Sequence, residues 1–542
     1  HYQSQTSYWQ AALDTLRYAY DTVSIIDPPV TEHFTTSVSA YDMVLWSSPE
    51  SSPGLVQAGE VLTDYLSSGG RLLLSGQDVA FFDSGVALTV PGQRYLRDHL
   101  SARFLEDNAP ARSLTGSGPF SGMTITITGG SGADNQRYPD EISVRDPDIS
   151  EQVWRYAGGD GGGLAAHICT PYRALFFSFG YEAIAEAATR REVMSRALDW
   201  LALPPPTEGL TLTYQRGPRI GLPGEQVTHT FRVRHIGSAG SPDDLAITLT
   251  DHQWPTVVTP TEVTLTPCEA QVFTVTATIP ADAEVNAVDL AQLNVHSSLL
   301  ADPLTTTLQT KTPAPVLLVD DDRWYPMEER YTTALDAQGL AYDVWNTNQQ
   351  LGDAPNTGEI MTETLLQHPI IVWFTGYDWY APVTEQEEAR LLHYLDHGGR
   401  LLLTSQDFLY YEPTEARPLG KRMGVAAWVY DRATETAWGS PEHPAGGSWG
   451  PVTLAFPFRN WSDAVEPIPD AASVARGDDG QPLALAHGGE TPEPWRSLFY
   501  GFPLETLPLP ERGEALANGI GWLSPLGRST WSVTPTSPAA GD

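Results

Sequence analysis

Residues 69–74 read Gly-Gly-Arg-Leu-Leu-Leu, and the same six residues recur at 398–403. After two intervening residues each copy reaches a Gln-Asp pair, Gln77-Asp78 in the first copy and Gln406-Asp407 in the second. The two glycines are typical of a helix end, and the apolar run after them predicts a buried strand that leads into a polar turn. The chain therefore contains two copies of one structural unit.

The repeat extends on both sides of this strand. Ala12-Leu13-Asp14 recurs as Ala334-Leu335-Asp336, and Leu175-Phe176-Phe177 is matched by Leu498-Phe499-Tyr500. In both copies apolar runs alternate with helical patterns, which is typical of a parallel sheet covered by helices on both faces. We predict two three-layer α/β/α modules, the first over residues 1–203 and the second over residues 314–525.

The second copy shows the α/β pattern most fully. Its predicted strands and helices alternate, at 315–319 (strand), 328–338 (helix), 342–345 and 370–374 (strands), 385–396 (helix), 400–404 (strand) and 511–523 (helix). The first copy reaches its Ala12-Leu13-Asp14 helix so soon after His1 that no sequence remains for the equivalent first strand. A missing interior strand would leave backbone groups unpaired. We therefore expect that strand to come from residues upstream of His1 or from a neighbouring chain.

The composition changes between the two copies. Pro204-Pro205-Pro206 predicts a stiff linker, and short alternating runs rich in Thr, Val and Pro follow it. Such runs without a helical period predict an immunoglobulin-like β-sandwich over residues 207–312. Residues 529–542 begin in the same way, which predicts the start of a further β-sandwich.

Acidic residues dominate the charge of the chain. The 67 Asp and Glu residues outnumber the 31 Lys and Arg residues, and the formal net charge is −36. A phosphate backbone would be repelled by this field, so nucleic acid is excluded as a partner. The sequence contains no apolar run of about 18 residues, so we predict no membrane span.

Only two cysteines are present, Cys169 and Cys268, and they fall in different predicted domains. Two separated cysteines imply no disulfide framework. Cys169 lies in an apolar run and Cys268 lies between two predicted strands, so we interpret both as ordinary packing residues.

The two copies resemble modules of the class I glutamine amidotransferase-like superfamily, which has a flavodoxin-like fold. The similarity rests on VLLVDDD at 316–322, on the GGRLLL strand with its turn, and on the late segments FGYE at 179–182 and GFPLE at 501–505. Modules similar to these, in tandem with an immunoglobulin-like domain, occur in non-catalytic regions of large bacterial secreted proteins. The resemblance therefore implies an extracellular or cell-surface location.

The resemblance also implies where catalytic residues would lie. Amidotransferases of this superfamily carry a Cys nucleophile on the turn after the strand, with a His and a Glu near the last strand. Glu182 and Glu505 are present, but no His precedes either of them and neither turn contains a Cys. Ser405 remains a conceivable nucleophile in the second copy, but no His lies at the matching late position and the first copy has Gly76 there, so we interpret it as structural. We therefore expect no enzymatic activity and assign no catalytic residue.

Asp320, Asp321 and Asp322 end the first predicted strand of the second module, at the edge where open α/β sheets bind ligands. Carboxylates gathered there would suit Mg²⁺ or Ca²⁺, although they equally suit the capping of the next helix. We assign no metal ligand. The candidate ligand-binding residues are Asp321, Asp322, Tyr377, Asp378, Gln406 and Asp407. Aromatic residues on the same rim suit a sugar face, namely Trp324, Tyr377, Trp379, Tyr410 and Tyr411.

These features predict a non-catalytic structural or binding region of a large secreted or cell-surface bacterial protein. Its partners would be other domains of the same protein, other copies of the chain, or a surface polysaccharide. One alternative is a carbohydrate-binding or carbohydrate-active module that uses the acidic and aromatic rim. A second alternative is an accessory region of a secreted peptidase whose catalytic domain lies upstream.

Overall fold

Five sheets form the framework of the protein. The computed structural model describes residues 4–25, 38–48, 56, 58–87, 91–204, 209–214, 217–237, 241–323, 325–348, 356–411, 418–429, 431–489 and 495–524. The predicted start of a further sandwich at 529–542 and the rim residue Trp324 lie outside these residues.

The N-terminal sheet has nine strands in the order β1-β2-β9-β8-β7-β4-β5, with β3 and β6 paired beside β8. Its parallel pairs are β1 with β2 and β2 with β9, and its remaining pairs are antiparallel. The strands are β1 (Val44–Ser47), β2 (Arg71–Ser75), β3 (Ala102–Glu106), β4 (Ser113–Gly116), β5 (Thr124–Thr126), β6 (Glu141–Val144), β7 (Ser150–Tyr156), β8 (Gly161–Ala166) and β9 (Arg173–Phe177).

Apolar residues on both faces of β2 explain why this strand lies inside the sheet. Leu73 packs on one face against Trp9 and Leu198, whereas Leu72 and Leu74 pack on the other face. Residues of a strand alternate between its faces, so a run of three leucines supplies both cores. The helices on these faces are α1 (Thr6–Leu16), α2 (Gly59–Ser67), α3 (Val79–Asp83) and α4 (Ala187–Ala202), with a π-helical turn at Tyr95–His99.

Residues 210–311 form two facing sheets, with strand orders β10-β12-β16-β14 and β11-β18-β17-β13-β15. Side chains that alternate along the strands meet between the sheets, where Phe231 stacks on Phe273. The strands are β10 (Leu210–Tyr214), β11 (Arg219–Ile220), β12 (Gln226–His235), β13 (Asp243–Thr250), β14 (Thr256–Thr259), β15 (Glu262–Leu265), β16 (Ala270–Thr278), β17 (Val288–His296) and β18 (Leu304–Lys311).

The C-terminal sheet also has nine strands, in the order β20-β19-β21-β22-β29-β28-β27-β24-β25. The strands from β20 to β29 are parallel, and those from β28 to β25 continue the sheet in antiparallel fashion. A separate pair joins β23 to β26. The strands are β19 (Val316–Asp320), β20 (Tyr342–Asn346), β21 (Ile370–Phe374), β22 (Arg400–Thr404), β23 (Val425–Val429), β24 (Thr436–Gly439), β25 (Val452–Thr453), β26 (Ala464–Pro467), β27 (Ala472–Gly477), β28 (Pro482–Gly488) and β29 (Arg496–Tyr500).

Helices connect the parallel strands of the C-terminal sheet. The best defined begins after Thr384, whose hydroxyl accepts a hydrogen bond from the Glu387 amide while the Glu387 side chain accepts one from the Thr384 amide. This capping box fixes the helix start. The helices are α5 (Glu328–Ala337), α6 (Thr362–Leu366), α7 (Glu385–Asp396), α8 (Phe408–Tyr411), α9 (Pro418–Arg422) and α10 (Leu509–Leu523).

The predicted architecture of two flavodoxin-like three-layer α/β/α modules is wrong, and with it the assignment to the amidotransferase-like superfamily. The protein is rich in β-structure, and helices make up only 23% of it. Parallel pairing stops at β9 and at β29, because β8 and β28 run antiparallel to them. A tight turn at Gly158, with φ 75°, joins β7 to β8, and such hairpins make neighbouring strands antiparallel. These hairpins add antiparallel strands to each sheet, which the three-layer prediction did not include.

The two Gly-Gly-Arg-Leu-Leu-Leu segments occupy corresponding strands. β2 lies between β1 and β9, and β22 lies between β21 and β29. Within the described residues β1 pairs only with β2, whereas its counterpart β21 also pairs with β19.

The interpretation of the cysteines as separate packing residues is also wrong. Cys169 and Cys268 form a disulfide, with their Cα atoms 5.9 Å apart and a separation of 99 positions in sequence. Cys169 follows β8 and Cys268 precedes β16, and both have positive φ angles. The two turns meet because the sandwich lies against the N-terminal sheet, a contact that the spacing of two cysteines does not show.

A hydroxyl group at the end of β2 joins that strand to the segment that follows β9. A hydroxyl group at the end of β22 joins that strand in the same way to the segment that follows β29. The Thr404 hydroxyl donates to the Phe502 carbonyl (2.9 Å) and accepts from the Leu504 amide (3.0 Å). The Ser75 hydroxyl makes the same two bonds to Phe179 and Tyr181, each 2.7 Å long. Both hydroxyl groups are buried, so these bonds satisfy backbone groups that water does not reach.

We expect Thr404→Val to lower the free energy of unfolding by about 2 to 4 kcal/mol, because it leaves one buried amide and one buried carbonyl unpaired. Thr404→Ser is the matched control, since it keeps the hydroxyl and should cost less than half as much. Urea unfolding followed by tryptophan fluorescence measures both changes. Equal losses in the two variants would show that packing, and not the hydroxyl, stabilises this junction.

Candidate functional site

The three aspartates that end β19 accept hydrogen bonds from the protein itself. The Asp320 carboxylate accepts from the Asn346 side chain (2.7 Å). Asp321 accepts from the Trp373 indole (2.9 Å) and from the Thr347 hydroxyl (2.6 Å). The Asp322 carboxylate accepts from the Met327 amide (3.2 Å), just before α5. Most of their capacity is used to hold the strand end and the approach to the helix.

Tyr377 and Asp378 follow β21, and both side chains also contact other residues of the protein. The Tyr377 ring stacks on Phe458 with 4.9 Å between ring centres. Asp378 forms an ion pair with the Arg323 guanidinium (2.7 Å) and accepts from the Tyr380 amide (2.9 Å). The structure therefore places these two predicted ligand-binding residues in packing and ion-pair roles.

Gln406 and Asp407 form the turn after β22 and behave differently from each other. The Gln406 side chain accepts from the Trp461 amide (3.1 Å) and donates to the Arg459 carbonyl (3.4 Å). Asp407 is buried, and its Oδ2 atom has no hydrogen-bond partner among the described residues. Burial raises the pKa of Asp407 to about 7, and the carboxylates of Asp431 and Asp378 contribute to the rise.

The corresponding turn of the N-terminal sheet repeats this arrangement. The Gln77 side chain accepts from the Arg137 amide (2.8 Å) and the Tyr138 amide (3.1 Å), and it donates to the Asn135 carbonyl (3.0 Å). Each glutamine thus fixes the loop that leads into β6 or β26. That loop ends in an aspartate in both cases, Asp140 or Asp463.

Asp78, Asp107 and Asp140 converge, and we call them the N-terminal triad. One carboxylate oxygen of each residue lies within 4.8 Å of the others. Asp140 is fully buried, and its Oδ2 atom accepts from the Ala80 amide (2.9 Å) and the Phe81 amide (3.1 Å). Its Oδ1 atom has no hydrogen-bond partner in the described part of the chain.

Burial dominates the electrostatics of the N-terminal triad. It raises the pKa of Asp78 to about 7, with a further contribution from Asp107. It raises the pKa of Asp107 to about 6, against a hydrogen bond from the Asn108 amide. The pKa of Asp140 is raised well above its usual value, by burial and then by the charges of Asp78 and Asp107. The triad therefore concentrates negative charge in a site from which water is largely excluded.

Asp407, Asp431 and Asp463 form the counterpart, which we call the C-terminal triad. Its members follow β22, follow β23 and precede β26, as those of the N-terminal triad follow β2, follow β3 and precede β6. The Asp463 Oδ1 atom accepts from the Asp431 amide (3.1 Å), and its Oδ2 atom has no partner among the described residues. Burial raises the pKa of Asp463 to about 9. Asp431 is exposed, so this triad is more open.

A third acidic cluster lies where the two large sheets meet. Glu106 of β3, Asp320 of β19 and Glu328 of α5 each place one oxygen within 4.8 Å of the others. Beside it, the Asn348 side chain donates to the Leu105 carbonyl (3.2 Å). Burial raises the pKa of Glu328 to about 7.

Sequence reasoning named Asp407 as a candidate ligand and Asp78 only as its counterpart in the repeat, and it missed the other members of both triads. Asp107, Asp140, Asp431 and Asp463 are single carboxylates at strand ends, in no motif. The signal that would find them is their equal position next to β3 and β6 in one copy and β23 and β26 in the other.

The position of a catalytic nucleophile is occupied by a buried serine. The Ser405 hydroxyl accepts from the Thr375 hydroxyl (2.7 Å) and from the Phe408 amide (3.1 Å). Glu505 accepts from the Tyr331 hydroxyl, and Glu182 accepts from the Asn135 side chain (2.9 Å). Both bonds of the Ser405 hydroxyl are thus made to Thr375 and Phe408, and neither involves a histidine.

Comparisons with known proteins assign no family. No family profile matches the chain, and no curated protein matches it. A PapD-like domain of human CEP192 is similar at 12% identity, covering 20% of this chain and 89% of that domain, with a TM-score of 0.16. A ThuA-like protein of Bacteroides uniformis is similar at 14% identity, covering 39% and 91%, with a TM-score of 0.27. These scores give no support to the predicted amidotransferase-like identity.

None of the described helices has the length and apolar character needed to cross a membrane.

Protonation of Asp463 should make stability depend on pH. Its raised pKa means that the folded state keeps a proton between about pH 4 and pH 9 that the unfolded state loses, so stability falls as pH rises through this window. Asp463→Asn keeps the acceptor for the Asp431 amide and removes the titration. In metal-free buffer we expect it to reduce the slope of unfolding free energy by up to about 1.4 kcal/mol per pH unit.

Urea unfolding at several values between about pH 5 and pH 8 measures this slope. The matched control is Asp478→Asn, at an exposed aspartate in the turn between β27 and β28, which should keep the slope of the unmodified chain. If Asp463→Asn also kept that slope, Asp463 would be ionised in the folded state and the account of its environment would be wrong.

Proposed function

We propose that this chain is a non-catalytic structural and binding region of a larger extracellular or cell-surface protein. The observation that supports this proposal is the set of covalent and ionic contacts that fixes the sandwich to both large sheets. These contacts suit a region that holds other domains or partners at a set spacing. The buried Ser405, which lacks a base, gives no support to an acyl-transfer enzyme.

The disulfide supports a location outside the cytoplasm. It joins the turn after β8 to the turn before β16, and so links the N-terminal sheet to the sandwich. Disulfides of this kind persist in oxidising compartments and are rare in the cytosol. Its loop of 99 residues constrains the unfolded chain strongly.

An ion pair strengthens the same junction. The Asp148 carboxylate contacts the guanidinium groups of Arg232 (3.0 Å to Nε) and Arg234 (2.8 Å), both on β12. Asp148 and Arg234 are mostly buried, with side chains 16% and 17% exposed. Two arginines on one carboxylate fix its direction as well as its distance.

A buried network joins the sandwich to the C-terminal sheet. The Lys311 ammonium group, at the end of β18, lies 2.5 Å from the Asp343 carboxylate of β20. Asp343 also lies 3.0 Å from the His368 ring and accepts from the Ala314 amide (2.7 Å). Burial alone would raise the pKa of Asp343, but His368 and Lys311 lower it below its usual value. Removing one partner of such a pair is strongly destabilising, so the network favours a fixed orientation.

We expect the purified chain, produced in an oxidising compartment, to contain no reactive thiol. Cys268→Ser should release one thiol and lower the free energy of unfolding by about 2 to 5 kcal/mol, because the unfolded chain loses its cross-link. Thiol titration and calorimetry measure these effects, and Cys169→Ser is the matched control that should behave identically. Two free thiols in the chain recovered from an oxidising compartment would contradict the proposed location and the fixed junction.

Carbohydrate binding is a second candidate, favoured by an exposed aromatic patch on the rim. Trp379 and Tyr380 are each 55% exposed, and their rings pack edge to face. Flat amphipathic rings that face solvent are suited to stacking against sugars. Asp378 lies directly beside them in sequence and is held by Arg323.

A glycan-binding test separates this candidate from the first. If the patch binds sugars, Trp379→Ala should weaken binding to polysaccharide about tenfold, because about 1.4 kcal/mol of contact energy is lost. Tyr138→Ala is the control, since Tyr138 is exposed elsewhere, and it should leave binding unchanged. Absence of binding across bacterial surface polysaccharides would remove carbohydrate recognition as a function of this patch.

A further inference from the structure

The N-terminal triad gathers three carboxylates that lack a positive partner. No arginine, lysine or histidine in the described segments forms an ion pair with Asp78, Asp107 or Asp140, or contributes to lowering the pKa of any of them. Burying carboxylates without compensation is expensive, and native proteins resolve such sites by pairing, protonation or metal coordination. The charge of this site therefore requires an explanation.

Asp140 supplies the observation that points to a ligand. Its side chain is fully buried, with one oxygen held by the Ala80 and Phe81 amides. Its other oxygen is buried and lacks a hydrogen-bond partner in the described structure, although Asp78 and Asp107 each place an oxygen within 4.8 Å of this carboxylate. Buried polar atoms in native structures almost always have a partner, so an atom without one indicates a missing ion or water.

The spacing of the triad suits one ion. Oxygens that each lie about 2.4 Å from a common Ca²⁺ ion are separated by at most about 4.8 Å. No side-chain hydrogen bond between the three carboxyl groups contributes to the pKa of Asp78, Asp107 or Asp140. The separations of at most 4.8 Å between the oxygens are thus compatible with one shared ion.

The surrounding backbone holds the three carboxylates in place before any ion binds. Gln77 fixes the loop that leads to Asp140, and Asp78 sits in a left-handed conformation with φ 61° at the start of α3. Asp107 directly follows β3, which pairs with β6. The turn after β2, the end of β3 and the loop before β6 thus supply the ligands, and strand pairing and the Gln77 hydrogen bonds set their positions.

We propose that Asp78, Asp107 and Asp140 bind a hard divalent cation, with Ca²⁺ as the ion best suited to an all-oxygen site. This inference goes beyond the structural and binding role proposed above and does not depend on it. The C-terminal triad places Asp407, Asp431 and Asp463 next to the corresponding strands, but among the described residues their carboxylate oxygens are not gathered within 4.8 Å of one another as those of the N-terminal triad are. Two orphaned oxygens there, on Asp407 and Asp463, show that the feature recurs in the second copy.

The test is calcium binding by the full chain after removal of metals, near neutral pH. Isothermal titration calorimetry gives the stoichiometry, and thermal unfolding gives the stabilisation. At a calcium concentration about 100 times the dissociation constant, we expect the melting temperature to rise by roughly 5 to 10 °C. A parallel titration with Mg²⁺ separates the two hard cations, and tighter binding of either one supports the site.

Asp140→Asn keeps an acceptor for the Ala80 and Phe81 amides but removes the charge, so we expect it to lose one bound ion per chain. Asp64→Asn is the matched control, because Asp64 is exposed on α2 of the same part of the chain, and it should bind as the unmodified chain does. If Asp140→Asn fails to fold, Asp78→Asn serves as the second variant, since Asp78 is only half-buried and should show the same loss.

The outcomes decide the proposal. Loss of one ion in Asp140→Asn or Asp78→Asn, with binding kept in Asp64→Asn, supports it. If one of these variants still binds calcium, and the addition of Asp463→Asn to it abolishes that binding, a second ion is assigned to the C-terminal triad. The proposal is overturned if the unmodified chain shows neither heat nor a change in melting temperature up to about 10 mM of either cation, above the range of extracellular calcium sites. Equal binding in all variants would also overturn it.

Discussion

The parallel pairing of the central strand with the last strand, β2 with β9 and β22 with β29, is the contact on which the rest of the structure depends. It joins segments that lie about a hundred residues apart, and one hydroxyl group in each copy locks the junction by bonding two backbone groups beyond the last strand. In both copies the Gln-Asp turn therefore lies beside the loop that leads into β6 or β26. Because the glutamine fixes the loop before β6 or β26, the aspartate that ends that loop reaches the aspartate of the turn.

The carboxylates brought together in this way repel one another, and in the described part of the chain no basic side chain forms an ion pair with the N-terminal triad. The chain has more than twice as many acidic as basic residues, and the arginines near the sheets are used in junctions such as the pair with Asp148. In a buried site the repulsion between carboxylates is far larger than in water. Protonation at low pH or a cation at neutral pH would relieve it, and the geometry of the N-terminal triad favours the cation.

Local structure followed from the sequence much better than assembly did. The predicted strands at 370–374 and 400–404 and the helix at 385–396 match β21, β22 and α7, because buried apolar runs and a capping box act locally. The three-layer architecture was wrong, since short runs between Gly-containing turns formed hairpins that extend each sheet in antiparallel fashion. The disulfide was missed for a related reason, because it depends on two domains lying side by side.

The candidate site was predictable only in part. Gln406 and Asp407 were identified from the repeat, and the structure assigns Gln406 to holding a loop and leaves Asp407 with an unpaired oxygen. Asp321 and Asp378 looked equally suitable as ligand-binding residues. In the structure, however, Asp321 accepts a hydrogen bond from the Trp373 indole, and Asp378 forms an ion pair with Arg323. Asp140 and Asp463 carried no motif, and their importance appears only once the sheet brings them to the turn.

The most direct test of this account is a crystal structure of the chain grown with Ca²⁺ or a lanthanide that replaces it, with anomalous scattering used to locate the ion. The account predicts an anomalous peak bonded to Asp78, Asp107 and Asp140, at about 2.3 to 2.6 Å from their oxygens. A map without that peak, in which these carboxyl groups instead hydrogen-bond to one another as acids, would contradict it.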